Sequence, residues 1–387
     1  MRSEPPFSLQ GGPLQRCGAR LGLVRGSNVS GIGLALGIAT WAVLAGLAWY
    51  DGVTRDFYSL RVVGAHVRLL VMVPLLFACE TMVAPRMASF IDSTLRERCV
   101  AAASRPDLES LIGRVRRTAE SWWLEALCLA AALAIAPLAV TPLVAQTGAL
   151  GLSTAADPVR AIAPDSHTAL WWWQVCLPLT RFLLLRWLAR LALWAWFLRR
   201  VAGLELNLLP HHPDEAGGLG GLETVHRYFA PVVVAFGALV AASFAEDIAS
   251  GAIPFSSIYI VLLTLFAVVA ALLIGPMLAF SPKLRAARIE GSRAYRNFAA
   301  RYVREFDSKW LGTTVPTESL LGSPDIQSLS DLASGAQTVR DMRTVPAGRG
   351  LLTMYAAALA APFLPLLLIK YPLVELAAVL VKRLFGA

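Results

Sequence analysis

Long apolar runs alternate with short polar, mostly basic stretches along nearly the whole chain. Seven runs reach membrane length, at roughly 29–50, 67–88, 122–145, 170–197, 228–249, 255–280 and 350–370. A helix needs about 20 mainly apolar residues to cross the hydrocarbon core of a bilayer. Pro74, Pro137, Pro178 and Gly275 inside these runs do not argue against helix, because membrane helices tolerate both residue types. Pro276, Pro362 and Pro365 are expected to kink theirs. The fold class that follows is all-α: a polytopic transmembrane helix bundle of about seven spans with cytoplasmic amphipathic helices. The tail 371–387 offers about ten apolar residues after Pro372, too few for an eighth span. It reads as an interfacial amphipathic helix, or as half of a returning hairpin.

Between the spans the period changes from uniformly apolar to amphipathic. In 89–121 apolar positions at Phe90, Leu95, Leu108, Leu111, Ile112 and Val115 alternate with charges, and Pro106–Asp107 is a helix-start signal. A helical hairpin fits. In 283–311 Tyr295, Phe298, Ala299, Tyr302, Phe306 and Trp310 form one aromatic stripe. The stripe either packs on the other cytoplasmic helices or receives a partner or lipid. After a soft linker, Ser323–Pro324–Asp325 is a helix N-cap, first position and dipole-matching acid, for a helix ending near Arg343. The organisation expected is a flexible basic arm at 1–28, then a bundle at 29–281 holding the hairpin 89–121 and an elbow at 204–227. A cytoplasmic helical segment at 282–349 and a final span with its interfacial helix at 350–387 complete it.

Composition strengthens the membrane reading. Of 387 residues, 56% are hydrophobic and 16% charged, against about 45–50% and about 25% in soluble domains. Mean hydropathy is +0.59. The net charge of +9 is assigned to loop Arg and Lys facing anionic lipid headgroups, and nucleic acid is not an expected partner. Basic residues crowd the loops after spans two, four and six and the arm before span one, which places the N-terminus in the cytoplasm. The run after the arm reaches Tyr50, too long for a signal-peptide core, so it reads as a retained first span. Cys17, Cys79, Cys99, Cys128 and Cys176 show neither a CxxC pair nor metal spacing.

Charges inside the apolar runs are the first candidate site. Span four begins at a Trp171–Trp173 belt and carries Arg181, Arg186 and Arg190. At about 1.5 Å per residue Arg181 lies near mid-bilayer, and Arg186 shares a depth with Glu80 of span two and Glu125 of span three. Charge in hydrocarbon must pair or meet water, so a cluster of Glu80, Glu125, Arg186 and Arg190 is expected. Arg181 lies half a turn from Arg190, which breaks the single ladder of a voltage sensor. It is either an anion-attracting position on a polar route or a partner of carbonyls freed near Pro178. Glu246 and Asp247 read as a solvated end of span five.

The elbow LNLLPHHPDEAGGLGGLETVHR is the second candidate. His211, His212, Asp214 and His226 could bind a metal, and Gly217 and Gly218 could bring backbone N–H groups to an anion. The spacing is not that of a standard zinc site, and no P-loop lysine follows the glycines. The alternative is a tight turn with Asp214 capping local N–H groups. No cofactor and no catalytic motif is assigned.

The arginine-rich span, LELNLLPHHPDEAGGLGGL, RYVREFDSKWL and SPDIQSLSDL together resemble a widespread family of uncharacterised bacterial multipass inner-membrane proteins, through His212, Pro213, Asp214, Gly217, Gly218, Leu219 and Gly220. The resemblance implies an inner-membrane location and a fold, but no activity. The leading functional expectation is a channel-like or transporter-like protein with a polar route near span four, for which a homo-oligomer is natural. The alternatives are a non-transporting scaffold or sensor for a cytoplasmic partner, and a metal-dependent enzyme using the elbow.

Overall fold

The computed structural model describes residues 7, 9–24, 28–138, 159, 165–312, 318–319 and 322–370. The end of the third apolar run (139–145), Arg160 and the tail 371–387 with its expected interfacial helix lie outside the described residues.

The protein is an all-α bundle, and no strand occurs among the described residues. We number its helices α1 (Pro13–Arg20), α2 (Ser30–Tyr50), α3 (Leu60–Arg96), α4 (Arg105–Ala119), α5 (Trp122–Leu138), α6 (167–203), α7 (Gly221–Ala249), α8 (Phe255–Leu273), α9 (Ser281–Trp310), α10 (Pro324–Asp341) and α11 (Arg349–Leu367). Five of them, α2, α3, α7, α8 and α11, are long and apolar enough to cross a membrane. The other two expected spans fall on α5, which is apolar over Trp122–Ala134, and on α6, which carries the three arginines. The chain is thus an integral membrane helical protein.

The layering follows from side-chain size. In lipid there is no hydrophobic drive between apolar helices, so close approach rests on small residues. On α2 the buried face is Gly33, Gly37, Thr40, Leu44 and Ala48, while Leu34, Ile38 and Val43 point outward. A Cβ at Gly37 would stand 2.3 Å from the Leu69 carbonyl oxygen, and one at Gly33 would stand 2.7 Å from Phe77 Cβ, so α2 lies directly on α3. α7 is the central helix, with 61% of its apolar window buried against 17% for α8. Its alanine-rich faces admit α3 and α11, and Gly237 lets α11 approach through the Leu359 carbonyl.

The prolines act where expected and also one turn earlier. Gly275–Phe280 and Ala361–Phe363 are tight 3-10 segments at Pro276 and Pro362. Wide π turns at Arg68–Met72 and Trp172–Cys176 lie just before Pro74 and Pro178. A helical proline removes one N–H and crowds the carbonyl four residues back, and a π turn relieves that clash. The two π turns meet: the Arg68 guanidinium sits 5.8 Å over the Trp172 ring.

On the water-facing side, α4 packs on α6 as the second arm of the expected hairpin. The chain before the elbow is tied to it by an antiparallel bridge, Val100 to Leu206. The Ser323 side chain caps α10 through the Asp325 N–H, as its sequence predicts. Three members of the aromatic stripe of α9 pack on α10: Tyr302 Oη donates to the Asp325 carbonyl (3.0 Å), Trp310 Nε1 donates to the Asp325 carboxylate (3.0 Å), and Tyr295 lies against Gly335, while Phe298 stays exposed.

The described part of the N-terminal arm corrects one expectation. It is not loose: Phe7 and Leu9 are buried, and α1 is folded back on α5. The reason is that Gly11 and Gly12, both at positive φ, turn the chain toward the bundle.

Gly37→Val is expected to cost about 1–3 kcal/mol through overpacking against the α3 backbone. Gly46→Val, on the same helix with open space around it, is expected to stay within about 0.5 kcal/mol. Thermal unfolding of both variants in lipid nanodiscs checks the contrast.

Candidate functional site: a buried charge cluster and a clamped elbow

Three helices each deliver charge to one layer. α3 brings Glu80, α5 brings Glu125 one turn from its start, and α6 brings Arg186 and Arg190, four residues apart and therefore on one face. All four are buried. Arg186 donates through Nη1 and Nη2 to the two Glu80 oxygens, at 3.0 and 3.3 Å, and through Nε to Glu125 Oε1 at 2.9 Å. Arg190 Nη1 lies 2.6 Å from Glu80 Oε2. The remaining oxygen of Glu125, Oε2, accepts the backbone N–H of Leu14 at 3.0 Å. Phe77 lies 5.8 Å under the Arg186 guanidinium. Two carboxylates thus balance two guanidiniums. An isolated charge at bilayer depth is costly, whereas this fork-shaped pairing gives each of the three Arg186 nitrogens a carboxylate partner.

A cavity of about 20 Å³ adjoins the cluster, walled by Leu9, Gln10, Glu80, Met87, Trp187 and Arg190 among others. That is room for about one water. Arg181, the third arginine expected in this span, is half-buried outside this group.

The other end of the bundle holds a polar group that sequence reading missed. Glu246 Oε1 accepts the Gly64 N–H at 2.7 Å, and Arg68 Nη2 donates to Ser243 Oγ at 3.2 Å. Glu246 and Asp247 are each only 6% exposed, not the expected solvated helix end. Only the structure shows why Gly64 is glycine there: a Cβ would lie 2.6 Å from both Arg68 Nη1 and Glu246 Oε1.

The elbow separates its histidines. His211 is exposed and faces the Tyr295 ring, with centroids 6.1 Å apart. His212 lies with Nδ1 2.7 Å from Asp214 Oδ1 and Nε2 3.9 Å from Glu97. His226 is fully buried beside Trp194 and Phe229, its Nδ1 bonded to the Leu222 carbonyl. Among the described residues no group of three or more His, Cys, Asp or Glu is placed to hold a metal ion. The physical reason is helical phase: His226 sits on the inward face of α7, while the elbow loop lies against α9 and α3.

Asp214 is what organises the loop. Its carboxylate accepts the N–H groups of Ala216 (2.8 Å), Gly218 (3.1 Å) and Gly220 (2.7 Å). Gly217 and Gly218 reach φ of +66° and +96° to present those groups. The amides that could have met an external anion are therefore spent on Asp214. Burial works against the Asp214 anion, but the three N–H bonds outweigh it and hold its carboxyl below the usual range. Cys99 touches the Gly218 carbonyl, and burial, with Glu97 and Asp214 nearby, pushes its thiol up to about 11. A thiol held there is protonated at neutral pH and is no nucleophile.

A residue without any sequence signal locks this arrangement. Arg343, in the loop after α10, donates to the Asp214 carbonyl (2.7 Å) and to Glu223 Oε2 (2.6 Å). Glu223 also accepts the Gly348 N–H (2.8 Å) and Arg227 Nη2 (2.7 Å), so elbow, α7 and the start of α11 share one carboxylate.

Searches of protein-family models, curated proteins and solved structures find no match to this chain. The functional argument therefore rests on the geometry.

Glu80→Gln removes one charge from the cluster and leaves two buried guanidiniums facing a single carboxylate. It is expected to cost about 3–5 kcal/mol, read as a lowered unfolding midpoint in nanodiscs; a midpoint equal to wild type would refute the cluster as a packing element. For the elbow, Asp214→Ala is expected to raise hydrogen exchange of 216–220 at least tenfold. A carboxyl depressed in the folded state contributes above its ordinary value and loses that contribution as pH falls through the lower folded value. Protection of these amides should thus hold steady on acidification to the ordinary aspartate value of 3.8 and fall only below it.

Proposed function

We propose that this chain is a non-transporting integral membrane scaffold or sensor, which presents the α9–α10 helix pair to an acidic protein partner in the cytoplasm. The location we assign is a bacterial inner membrane with the N-terminus inside, on the loop arginines and the family resemblance of the elbow. The observation that carries the reading is the outward face of α9. With Tyr295, Tyr302 and Trp310 of its aromatic stripe packed on α10, a sector about 100° wide remains that holds Arg285, Ile289, Arg293, Arg296, Val303 and Arg304, with Asp307 as its one acid. The four arginines are exposed, as are Ile289 (54%) and Val303 (39%). Arginine interleaved with aliphatic side chains is the composition of an interface that reads acidic partners, since the fork binds carboxylates and the aliphatic groups lose water.

The charges that first suggested a polar route lend transport less support, because Glu80, Glu125, Arg186 and Arg190 pair with one another in charge. Transport keeps one specific observation, the two π turns that meet at Arg68 and Trp172, since such turns cluster at functional sites. In that version a homo-oligomer would line the route with α6.

A photo-crosslinking side chain at Ile289 in cells distinguishes the readings. The expected result is one discrete protein adduct, mapping to an acidic segment of the partner and lost when Arg293, Arg296 and Arg304 are changed to Glu at unchanged expression. Adducts with lipid alone, or a protein adduct indifferent to the charge reversal, overturn the proposal.

A further inference from the structure

The N-terminal segment makes contacts that neither capping nor packing of a single helix requires. Its backbone enters the charge cluster directly: the Leu14 N–H is bonded to the same Glu125 carboxylate that holds Arg186. Gln10 Nε2 donates to the Glu80 carbonyl at 3.0 Å, and Arg16 Nη2 donates to the Glu120 carbonyl at 3.2 Å. Phe7 stacks on Phe197, with ring centroids 5.1 Å apart, in a slot completed by Trp194. Leu9 and Gln10 form one wall of the cavity beside Glu80 and Arg190.

The segment is fitted to this place, yet lightly held. Gly12 has φ of +93°, and a Cβ there would lie 2.5 Å from Glu125 Oε1. Only glycine lets the chain pass the carboxylate at that distance. The side chains that anchor it, however, are few. Phe7 and Leu9 are buried, while Cys17, Ala19 and Arg20 of α1 are exposed. Three apolar side chains, Phe7, Leu9 and the partly buried Leu14, and a handful of hydrogen bonds must offset the conformational entropy of ordering about a dozen residues, so the balance is close. Segments with few buried contacts open at a lower free energy than the core they cover.

We propose that Phe7 and residues 9–20 are a detachable latch, which in its closed state seals the Glu80–Glu125–Arg186–Arg190 cluster from water and in its open state admits water to it. Opening withdraws Leu14 from Glu125 and Leu9 and Gln10 from the cavity wall. The cluster's hydration is thereby coupled to whatever binds or releases the N-terminal segment. The latch is independent of the α9 face and stands or falls separately from it.

The test uses the full chain in nanodiscs. In the wild-type protein, amides of 9–20 are expected to exchange at least a hundredfold faster than those of α7, while α7 stays protected. Exchange of 9–20 only together with α7 would show a fixed part of the fold and overturn the latch; this measurement needs no variant. In a Cys17→Ser background, Ala84→Cys places a thiol in the cavity wall, at a residue 8% exposed. Its reaction with a membrane-impermeant maleimide is expected to rise at least tenfold when Gly12→Ala dislodges the segment. If 9–20 exchanges faster in Gly12→Ala but the thiol rate is unchanged, the segment seals nothing and the proposal fails.

Discussion

The fork between Arg186 and its two glutamates is the constraint on which the arrangement of the bundle rests. Glu80, Glu125 and Arg186 come from three helices, and each is intolerable at that depth without the others. Apolar helices in lipid can slide and rotate at little cost, because one aliphatic surface resembles another. The fork removes that freedom. Its geometry fixes the rotation of α3, α5 and α6 about their axes and their relative heights to within a hydrogen-bond length. Arg190, one turn further along α6, repeats the specification on the same face. Ion pairs of this kind add little net stability over well-packed apolar residues, but they penalise every alternative register. They are best understood as the element that selects one packing among many.

Small residues do the complementary work. Gly33 and Gly37 set α2 against α3, and Gly237 sets α7 against α11. These contacts shape the distances between helices without choosing a register, since a glycine face is smooth. The protein thus separates two tasks, closeness by glycine and alanine, and specificity by charge. The π turns before Pro74 and Pro178 belong to the same logic. They shift the facing of α3 and α6 by part of a turn at about two to three turns from the fork, so that side chains on either side of each proline can both face inward.

The extent to which this was readable from sequence follows from the range of each interaction. The apolar runs, the Ser323 cap and the stripe of α9 are local patterns, and among the described residues they fall on helices near the expected places, the sixth run breaking into a 3-10 segment at Pro276. The charge cluster is long-range, yet the bilayer turned it into a one-dimensional problem: depth alone matched Glu80 and Glu125 to Arg186 and Arg190. No such ruler exists in water. Arg343 meets Asp214 and Glu223 across more than a hundred residues with no depth to compare, and nothing in its neighbourhood marks it. The arm was misjudged for a related reason. Its glycines and arginines have the composition of a loose segment, and only the three-dimensional position of the Glu125 carboxylate reveals why Gly12 must be a glycine. Glu246 and Asp247 were placed at a helix end in sequence, but neighbouring helices extend past that end and bury them.

The elbow and the cluster look like rival sites, but their chemistry separates them. At the elbow the carboxylates already serve the loop: Asp214 takes three amides and Glu223 takes Arg343, Arg227 and Gly348, while His226 is turned into the core and His211 points away to Tyr295. A structure that consumes its own donors and acceptors is built to hold a shape. At the cluster the corresponding economy is incomplete, because one oxygen of Glu125 is satisfied only by a lightly held segment from outside the bundle. Polar groups buried in a low dielectric tolerate no vacancy, so loss of that segment must be answered by water. The elbow is therefore the rigid frame, and the place in this molecule where a change of partner alters the state of buried charge lies where the N-terminal segment meets Glu125.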